Sequence, residues 1–541
     1  MLKLFFWAIN LLIFLIPAYL FRFKVAGLPT NFFEICFLSI FIWWIFKKGH
    51  KGRKKIKGDF MLIFHQFINQ NCLLFFGINL LLIGISLSIV FSSDTLVSLG
   101  ILKSWFIIPI MLAWVTISTF SENLKLKTQN SKLKIPNSFY HSVSLFRPLA
   151  FSGLIVALTA LGYLLRGNLT YDGRLKAFFE HPNHLAMYLA PCWLVTYGLF
   201  VQRTTGLWSG FITTRKTEKK LWLSSLILIS IPIFFTYSYG AWMGIMAGIL
   251  FILWRLKRKN KDLRKISRKR KKWPYGFRAF TTLMIFMAIF ALVVSTQINN
   301  PKLQNVFTTQ RSSIHSRLMI WRSASRVLQD NWFLGIGPGM FQEHYLNYQK
   351  YFPPYLEWAV PQPHNIFLAF WLQTGIIGFI GFILILIWFF RRGLKAIHKI
   401  SKNKKEALMA YGPSGYYVLI LMAIMIYFLV HGLFDTPYWK NDLSIMFWMI
   451  IGLMSTVSHP NYLQRKEILE SIKYIDKVIP ERNWNQKIND IKKYKVDVFT
   501  MGGDWRDKFN FLKKYCEVKY LPRTKNISTT KLKNYGLSKK Q

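Results

Sequence analysis

Apolar runs long enough to cross a bilayer recur along the chain, separated by loops rich in lysine and arginine. A helix needs about 20 predominantly apolar residues to span a hydrocarbon layer roughly 30 Å thick. Inside that layer every backbone N–H and C=O must find its partner within the protein. The pattern therefore predicts an all-α polytopic membrane protein. Twelve spans are predicted, near 4–21, 29–46, 72–92, 100–119, 148–165, 183–201, 221–236, 240–254, 279–297, 365–390, 415–433 and 443–458. Residues 4–21 read as the first of these and not as a cleavable leader, because the run is long and no small-residue cleavage site follows it.

Charge assigns the sides. The formal net charge is +48, although 52% of the residues are hydrophobic. Such an excess of base can mark nucleic-acid binding, but between apolar spans it sets orientation, and no nucleic-acid partner is predicted. With the N-terminus in the cytoplasm, the inner loops carry 37 Lys and Arg and the outer loops 12. Both termini are thus expected inside, and the long loop 298–364 outside. The four cysteines, Cys36, Cys72, Cys192 and Cys516, have neither zinc spacing nor the look of a disulfide framework.

Almost no Asp, Glu, Lys or Arg lies at midplane depth. An ion-coupled transporter normally keeps ionisable groups or broken helices there. The polar groups gather instead at the predicted outer ends, as Glu34, Lys103, Arg174, His181, His184, His364, His431 and Asp435. That distribution favours chemistry at the outer membrane–water interface. A transporter or flippase for a solute or a lipid-linked glycan is the competing reading.

Within the external loop, Ser316 to Gln329 reads as an amphipathic helix. Leu318, Trp321, Ala324 and Leu328 are expected on its apolar face, flanked by Arg317 and Arg322. Gly335, Gly337 and Gly339 then end the helix and turn the chain; a glycine run of this kind is only weak evidence for a phosphate cradle. The aromatic stretch after it includes Tyr345, Tyr348, Tyr351, Tyr355 and Trp358. Such rings either stack on sugars or anchor a loop at headgroup level.

Arginine binds diphosphate oxygens through a rigid fork and keeps its charge near neutral pH. Histidine can take the proton of an attacking hydroxyl. Together they suit glycan transfer from a lipid diphosphate with no metal and no cofactor, and the chain has no Asp-x-Asp pair to hold a metal–nucleotide sugar. The plainer role for His364 is to cap the helix that follows its Pro-His-Asn corner.

Several segments resemble the O-antigen ligase and O-antigen polymerase superfamily. They are "RLMIWRSA…NWFLGIGPGMF" with "PHNIFLAFWLQTGIIG", the earlier "GRLKAFFEHPNHLAMYLAPCW", and "FDTPYW" after His431. The resemblance covers most of residues 1–458. It implies a GT-C-like fold that uses undecaprenyl-diphosphate-linked glycan outside the cytoplasmic membrane, with a glycan or lipid acceptor. It also implies His364 as the base and Arg317 as a donor-phosphate ligand. Arg174, Arg322, Tyr348, Trp358, His431 and Asp435 are the further substrate-binding candidates. Tyr239 stands where many members carry arginine, so a diphosphate contact from that turn is not expected.

Beyond the last span the composition changes. "YKVDVFTMGGDW" and "YCEVKYLPRT" read as two buried strands joined by a short helix, with Ser528, Thr529 and Thr530 opening another helix. This segment, 461–541, resembles the C-terminal half of the glycerol-3-phosphate cytidylyltransferase family. The likeness includes its Arg-Thr-x-x-Ile-Ser-Thr-Thr signature at Arg523 to Thr530, whereas Met501-Gly502-Gly503-Asp504-Trp505 replaces the usual Met-Gly-Asp-Asp-Trp. The family's first half, with its His-x-Gly-His motif, is absent from the chain. The tail is therefore expected to be a partial Rossmann-like α/β unit in the cytoplasm. It would not transfer nucleotides alone, and would be a remnant or a docking piece for a partner.

Overall fold

The computed structural model describes residues 2–25, 28–49, 71–118, 145–204, 216–266, 295, 313–353, 358–402, 413–457, 475–479, 481 and 486–522. The chain divides into two compact units, the first running from Met1 to Val457 apart from residues 210–212, the second formed by the residues beyond Val457 together with those three.

The first unit is mostly helical. Its membrane-type helices are α1 (Leu2–Phe14), α2 (Phe32–Gly49), α3 (Cys72–Val90), α4 (Thr95–Ser118), α5 (Phe146–Leu165), α6 (Pro182–Thr204), α7 (Lys216–Phe235) and α8 (Tyr239–Ile266). After α9 (Ser313–Asp330) and α10 (Phe341–Tyr348) come α11 (Ile366–Lys402), α12 (Pro413–His431) and α13 (Asn441–Ser455). Five of these, α3, α4, α5, α6 and α11, are long and apolar enough to cross a membrane by length and composition. The predicted span 279–297 lies almost wholly outside the described residues.

Several expected boundaries are corrected. The first predicted span is not one helix: α1 ends at Phe14 and a 3-10 turn, Ile16–Leu20, follows. Pro17 lies in that turn's first positions, where its missing N–H does least harm. A small antiparallel hairpin, β1 (Arg22–Val25) and β2 (Leu28–Asn31), occupies the next loop of an otherwise helical unit. Helix α4 begins earlier than predicted because the Asp94 side chain accepts the Val97 N–H at 3.0 Å and caps it.

Helix α11 packs along α3 through small residues. A Cβ on Gly84 would stand 2.2 Å from the Gly378 nitrogen, so glycine alone permits the approach. Helix α11 is also broken, with Gly375 at φ 65° and ψ 179°. The loop 331–340 closes the break. Ile336 donates its N–H to Leu372 O at 2.7 Å, and Ile376 donates to Phe333 O at 3.1 Å. Gly335, Gly337 and Gly339 all have positive φ. The Gly337 and Gly339 N–H groups are taken by Ser88 Oγ (2.8 Å) and Gln373 Oε1 (2.9 Å). The glycine run is a turn fitted into a broken helix, with those donors already satisfied.

The apolar face of α9 is rotated from the one expected. Ser316, Met319, Ile320, Ser323, Ala324 and Val327 are buried, while Leu318 is exposed. These positions, spaced i, i+3, i+4 and i+7, form one helix face, on which Met319, Ile320 and Val327 supply the apolar bulk. Leu318 and Trp321 instead line an open cleft of about 410 Å³ with Arg322, Arg326, Gln329 and Phe352.

The second unit contains α14 (Gln486–Tyr494) and two parallel strands, β3 (Val498–Gly502) and β4 (Glu517–Leu521), in register from Val498↔Glu517 to Gly502↔Leu521. Parallel pairing demands a crossover between the strands, and residues 503–516 supply it with two 3-10 turns in place of the expected α-helix. Ile491, Phe509 and Leu512 form its small core. The strands are not buried as expected: their residues alternate between exposed and half-exposed. Two strands have too few covering layers to bury both faces. Arg523, Ser528, Thr529 and Thr530 lie outside the described residues.

Candidate active site

The turn after α12 collects the polar chemistry. Asp435 N and Phe434 N both donate to His431 O, which folds residues 431–435 into a tight corner. The Asp435 carboxylate is buried and fully engaged. Its Oδ1 lies 3.1 Å from His364 Nδ1 and also accepts the Thr436 N–H at 2.9 Å. Its Oδ2 accepts from Asn183 Nδ2 at 2.8 Å. Burial alone would push this carboxyl up, but His364, His431 and Arg317 around it hold it well below the usual carboxylate range. An ionised carboxylate accepts only, so His364 Nδ1 is the donor, which leaves Nε2 as the nitrogen not held by Asp435.

The approach of His364 is fixed from three sides. Its backbone has φ 48°, a left-handed conformation uncommon for any residue but glycine. The preceding carbonyl, Pro363 O, accepts from Trp321 Nε1 at 3.1 Å. The helix cap is not His364 but Asn365, whose Oδ1 accepts the N–H groups of Phe367 (2.9 Å) and Leu368 (3.1 Å). The histidine is thus relieved of capping, and about a third of its side chain remains exposed.

Arg317 reaches the same corner from α9, donating Nε–H to Phe434 O at 2.8 Å. Arg317 and Trp321, four residues apart on one helix face, therefore hold the two segments that carry Asp435 and His364.

Arg174 enters from the loop before α6. It is buried, donating Nε–H to Thr236 O (2.7 Å) and Nη2–H to Asn183 Oδ1 (2.6 Å). Burial lowers its affinity for a proton, with Asp172 and Asp435 opposing and Arg317 adding to the effect, which places both arginines in one field. Tyr239 also lies within electrostatic reach of Arg174. Asn183 stands at the second position of α6, and its own N–H is taken by His181 Nδ1 at 3.1 Å. One residue on, His184 Nδ1 lies 2.7 Å from Lys440 Nζ. Burial lowers the Lys440 ammonium below the usual lysine range, while Asp442 and Glu180 support its charge.

Of the residues singled out from sequence, the structure brings His364, Arg317, Arg174 and Asp435 to one corner. His431 stands behind it, buried, with Nδ1 2.7 Å from Tyr427 Oη. Arg322 lines the adjoining cleft, which shares Trp321 with the corner. Tyr348 donates to Asp330 Oδ2 at 2.8 Å and so ties α10 to the end of α9. Trp358 is strongly exposed. Asn183, Thr236 and Lys440 were not singled out. Asn183 and Lys440 lie in or beside the two outer motifs, next to conspicuous histidines and an aspartate, and neutral Asn gave no charge signal.

Residues 224–383 match the family model described as O-Antigen ligase. The chain thus carries a segment similar to the O-antigen ligase family. That segment supplies Arg317 and His364, while Arg174, Asn183 and Asp435 come from either side of it. Residues 455–535 match the family model described as Cytidylyltransferase-like. Glycerol-3-phosphate cytidylyltransferases of Bacillus subtilis and Bacillus spizizenii are each 59% identical to the chain over 76 residues, which is 14% of this chain and 59% of the relative. The Staphylococcus aureus protein of that name is 58% identical over 81 residues, 15% of this chain and 61% of the relative. The chain thus spans less than two thirds of the length of these curated relatives. Four of the five helices long and apolar enough to cross a membrane precede residues 224–383, and the fifth, α11, begins within them.

Proposed function

We propose that the chain transfers a glycan from an undecaprenyl-diphosphate-linked donor to an acceptor, as a ligase or polymerase, on the outer face of the cytoplasmic membrane. The carrying observation is the His364–Asp435 pair with Arg317 bonded to the same turn, inside and beside the O-antigen ligase segment. An acceptor hydroxyl attacks the anomeric carbon while His364 Nε2 takes its proton. The carbon–oxygen bond to the diphosphate breaks, and the electron pair leaves with undecaprenyl diphosphate. Arg317, with Arg174 in the same field, offsets the developing negative charge in place of a metal. One displacement inverts the anomeric carbon. The cleft bearing Arg322, with Trp321 and Phe352, is of a size suited to small ligands and is the acceptor-side candidate.

This reading takes residues 1–458 as a GT-C-like domain of twelve spans with both termini cytoplasmic. Residues 461–541 are a second domain that does not make CDP-glycerol alone. The motif-bearing first half of its relatives is missing, and its strands stand half-exposed.

A transporter is the second reading, and the break at Gly375 favours it, since broken helices mark transport sites. Here, however, backbone groups of the loop 331–340 satisfy the freed groups, which leaves them no substrate to bind. Purified full-length protein in proteoliposomes, given undecaprenyl-diphosphate-linked oligosaccharide, separates the two. Transfer predicts released undecaprenyl diphosphate and a lengthened or newly attached glycan; movement of intact donor across the bilayer without turnover contradicts it.

A further inference from the structure

Asn183 sits between two groups that would otherwise meet. Arg174 offers only donors and ionised Asp435 only acceptors, and both are buried. The Asn183 amide matches each: Oδ1 accepts from Arg174 at 2.6 Å, and Nδ2 donates to Asp435 at 2.8 Å. Neither a carboxylate nor an alkyl chain has this polarity, and the partners fix which way the amide faces. The chain of bonds runs from Thr236 O through Arg174, Asn183 and Asp435 to His364 Nδ1. Its middle member is anchored at the start of α6, after Pro182, with its N–H held by His181.

We infer that Asn183 is a positioning residue that spaces Arg174 from Asp435 and so holds the carboxylate in the rotamer that orients His364. Without the spacer, the guanidinium and the carboxylate, each one hydrogen bond from the same amide, would be free to move together and pair directly. The carboxylate's second oxygen would turn to arginine, and its charge would serve His364 less. This rests on the proposed role of His364 as base and adds a residue that touches neither donor nor acceptor.

The test is the pH dependence of kcat/KM for glycan transfer by the full-length protein, in wild type and in Asn183→Ala, Asn183→Asp and His364→Asn. The charged or titratable groups around His364 are Asp435, His184, His431 and Arg317, with Lys440 beside His184. Asn183→Ala lets Arg174 neutralise Asp435, so the acid limb should move to lower pH, and kcat should fall about 10²-fold, the scale of a small misplacement at a reacting centre. Asn183→Asp adds negative charge beside the pair, so the acid limb should move to higher pH. Opposite displacements in the two variants, with donor KM within a few-fold of wild type, support the inference. Acid limbs unmoved in both, or both displaced the same way, overturn it; if Asn183→Ala does not fold, the isosteric Asn183→Asp alone must show the upward shift. Should His364→Asn keep the wild-type limb and rate, it is the base assignment that has failed, and that outcome is distinct.

Discussion

At φ 48° the His364 backbone is held where most side chains are strained, at a cost on the order of 1–3 kcal/mol. Such strain persists where the surroundings fix it, here through Trp321 on the preceding carbonyl and Asp435 on the ring. Asp435→Asn keeps the shape but removes the charge that orients the ring. It should lower kcat by about 10²–10⁴-fold, the usual worth of general-base assistance, measured as initial rates of donor turnover. Because His364, His431 and Arg317 depress the Asp435 carboxyl, its contribution to stability is in place above its unfolded pKa of about 3.9 and is lost only as pH falls through the lower folded value. The fold should therefore be kept as pH falls from 7 to 5; unfolding in that window, seen by circular dichroism, would contradict this. Arg317→Lys should also fail, since one ammonium cannot both hold Phe434 O and present a fork. The arginine and histidine were legible in the sequence because their chemistry is conspicuous. The carboxylate was legible as an outer-end polar residue and a substrate-binding candidate, but its pairing with His364 is a contact across 71 residues that no local pattern announces.

Between α9 and α11 the structure depends on glycines as wedges. A Cβ on Gly335 would stand 2.5 Å from Leu372 O, and one on Gly375 2.4 Å from Phe333 O, both at positive φ. Gly335→Ala and Gly375→Ala should each cost at least the 1–2 kcal/mol of the left-handed backbone, with the clash in addition. The expected readout is a lower melting temperature in detergent, and an unchanged one would show that the plug is loose. Apolar periodicity placed most helices to within a few residues because burial in lipid and in the core demand the same residues. It missed the break in α11, since Gly-Ile-Ile-Gly reads as ordinary apolar helix and only a tertiary partner reveals the turn. It also misjudged the face of α9, where Leu318 and Trp321 line a cleft and Met319, Ile320, Ala324 and Val327 join the core. Asn365 displaced His364 as the cap because an amide oxygen one residue later reaches two N–H groups at once.

For the whole chain, the 37-to-12 division of Lys and Arg predicts that residues 298–364 face outward. Asn347, exposed on α10, is the reporter: Asn347→Cys should react with a membrane-impermeant maleimide on intact cells, and reaction only after permeabilisation reverses the orientation. The tail was legible as a parallel pair from its two apolar runs, but its exposure was not, because burial depends on layers supplied from outside the segment. Residues 461–541 expressed alone should form no CDP-glycerol from CTP and glycerol 3-phosphate; formation of that product would show a complete nucleotidyl site. The central claim, that this protein transfers glycan with His364 as base, is tested most directly by His364→Asn in the reconstituted full-length enzyme. Asparagine tolerates a left-handed backbone, so the corner at residue 364 is kept and only the imidazole is lost. The account predicts folded protein that still binds the lipid-diphosphate donor and turns it over at least 10²-fold more slowly than wild type. Turnover by His364→Asn at near the wild-type rate would contradict it.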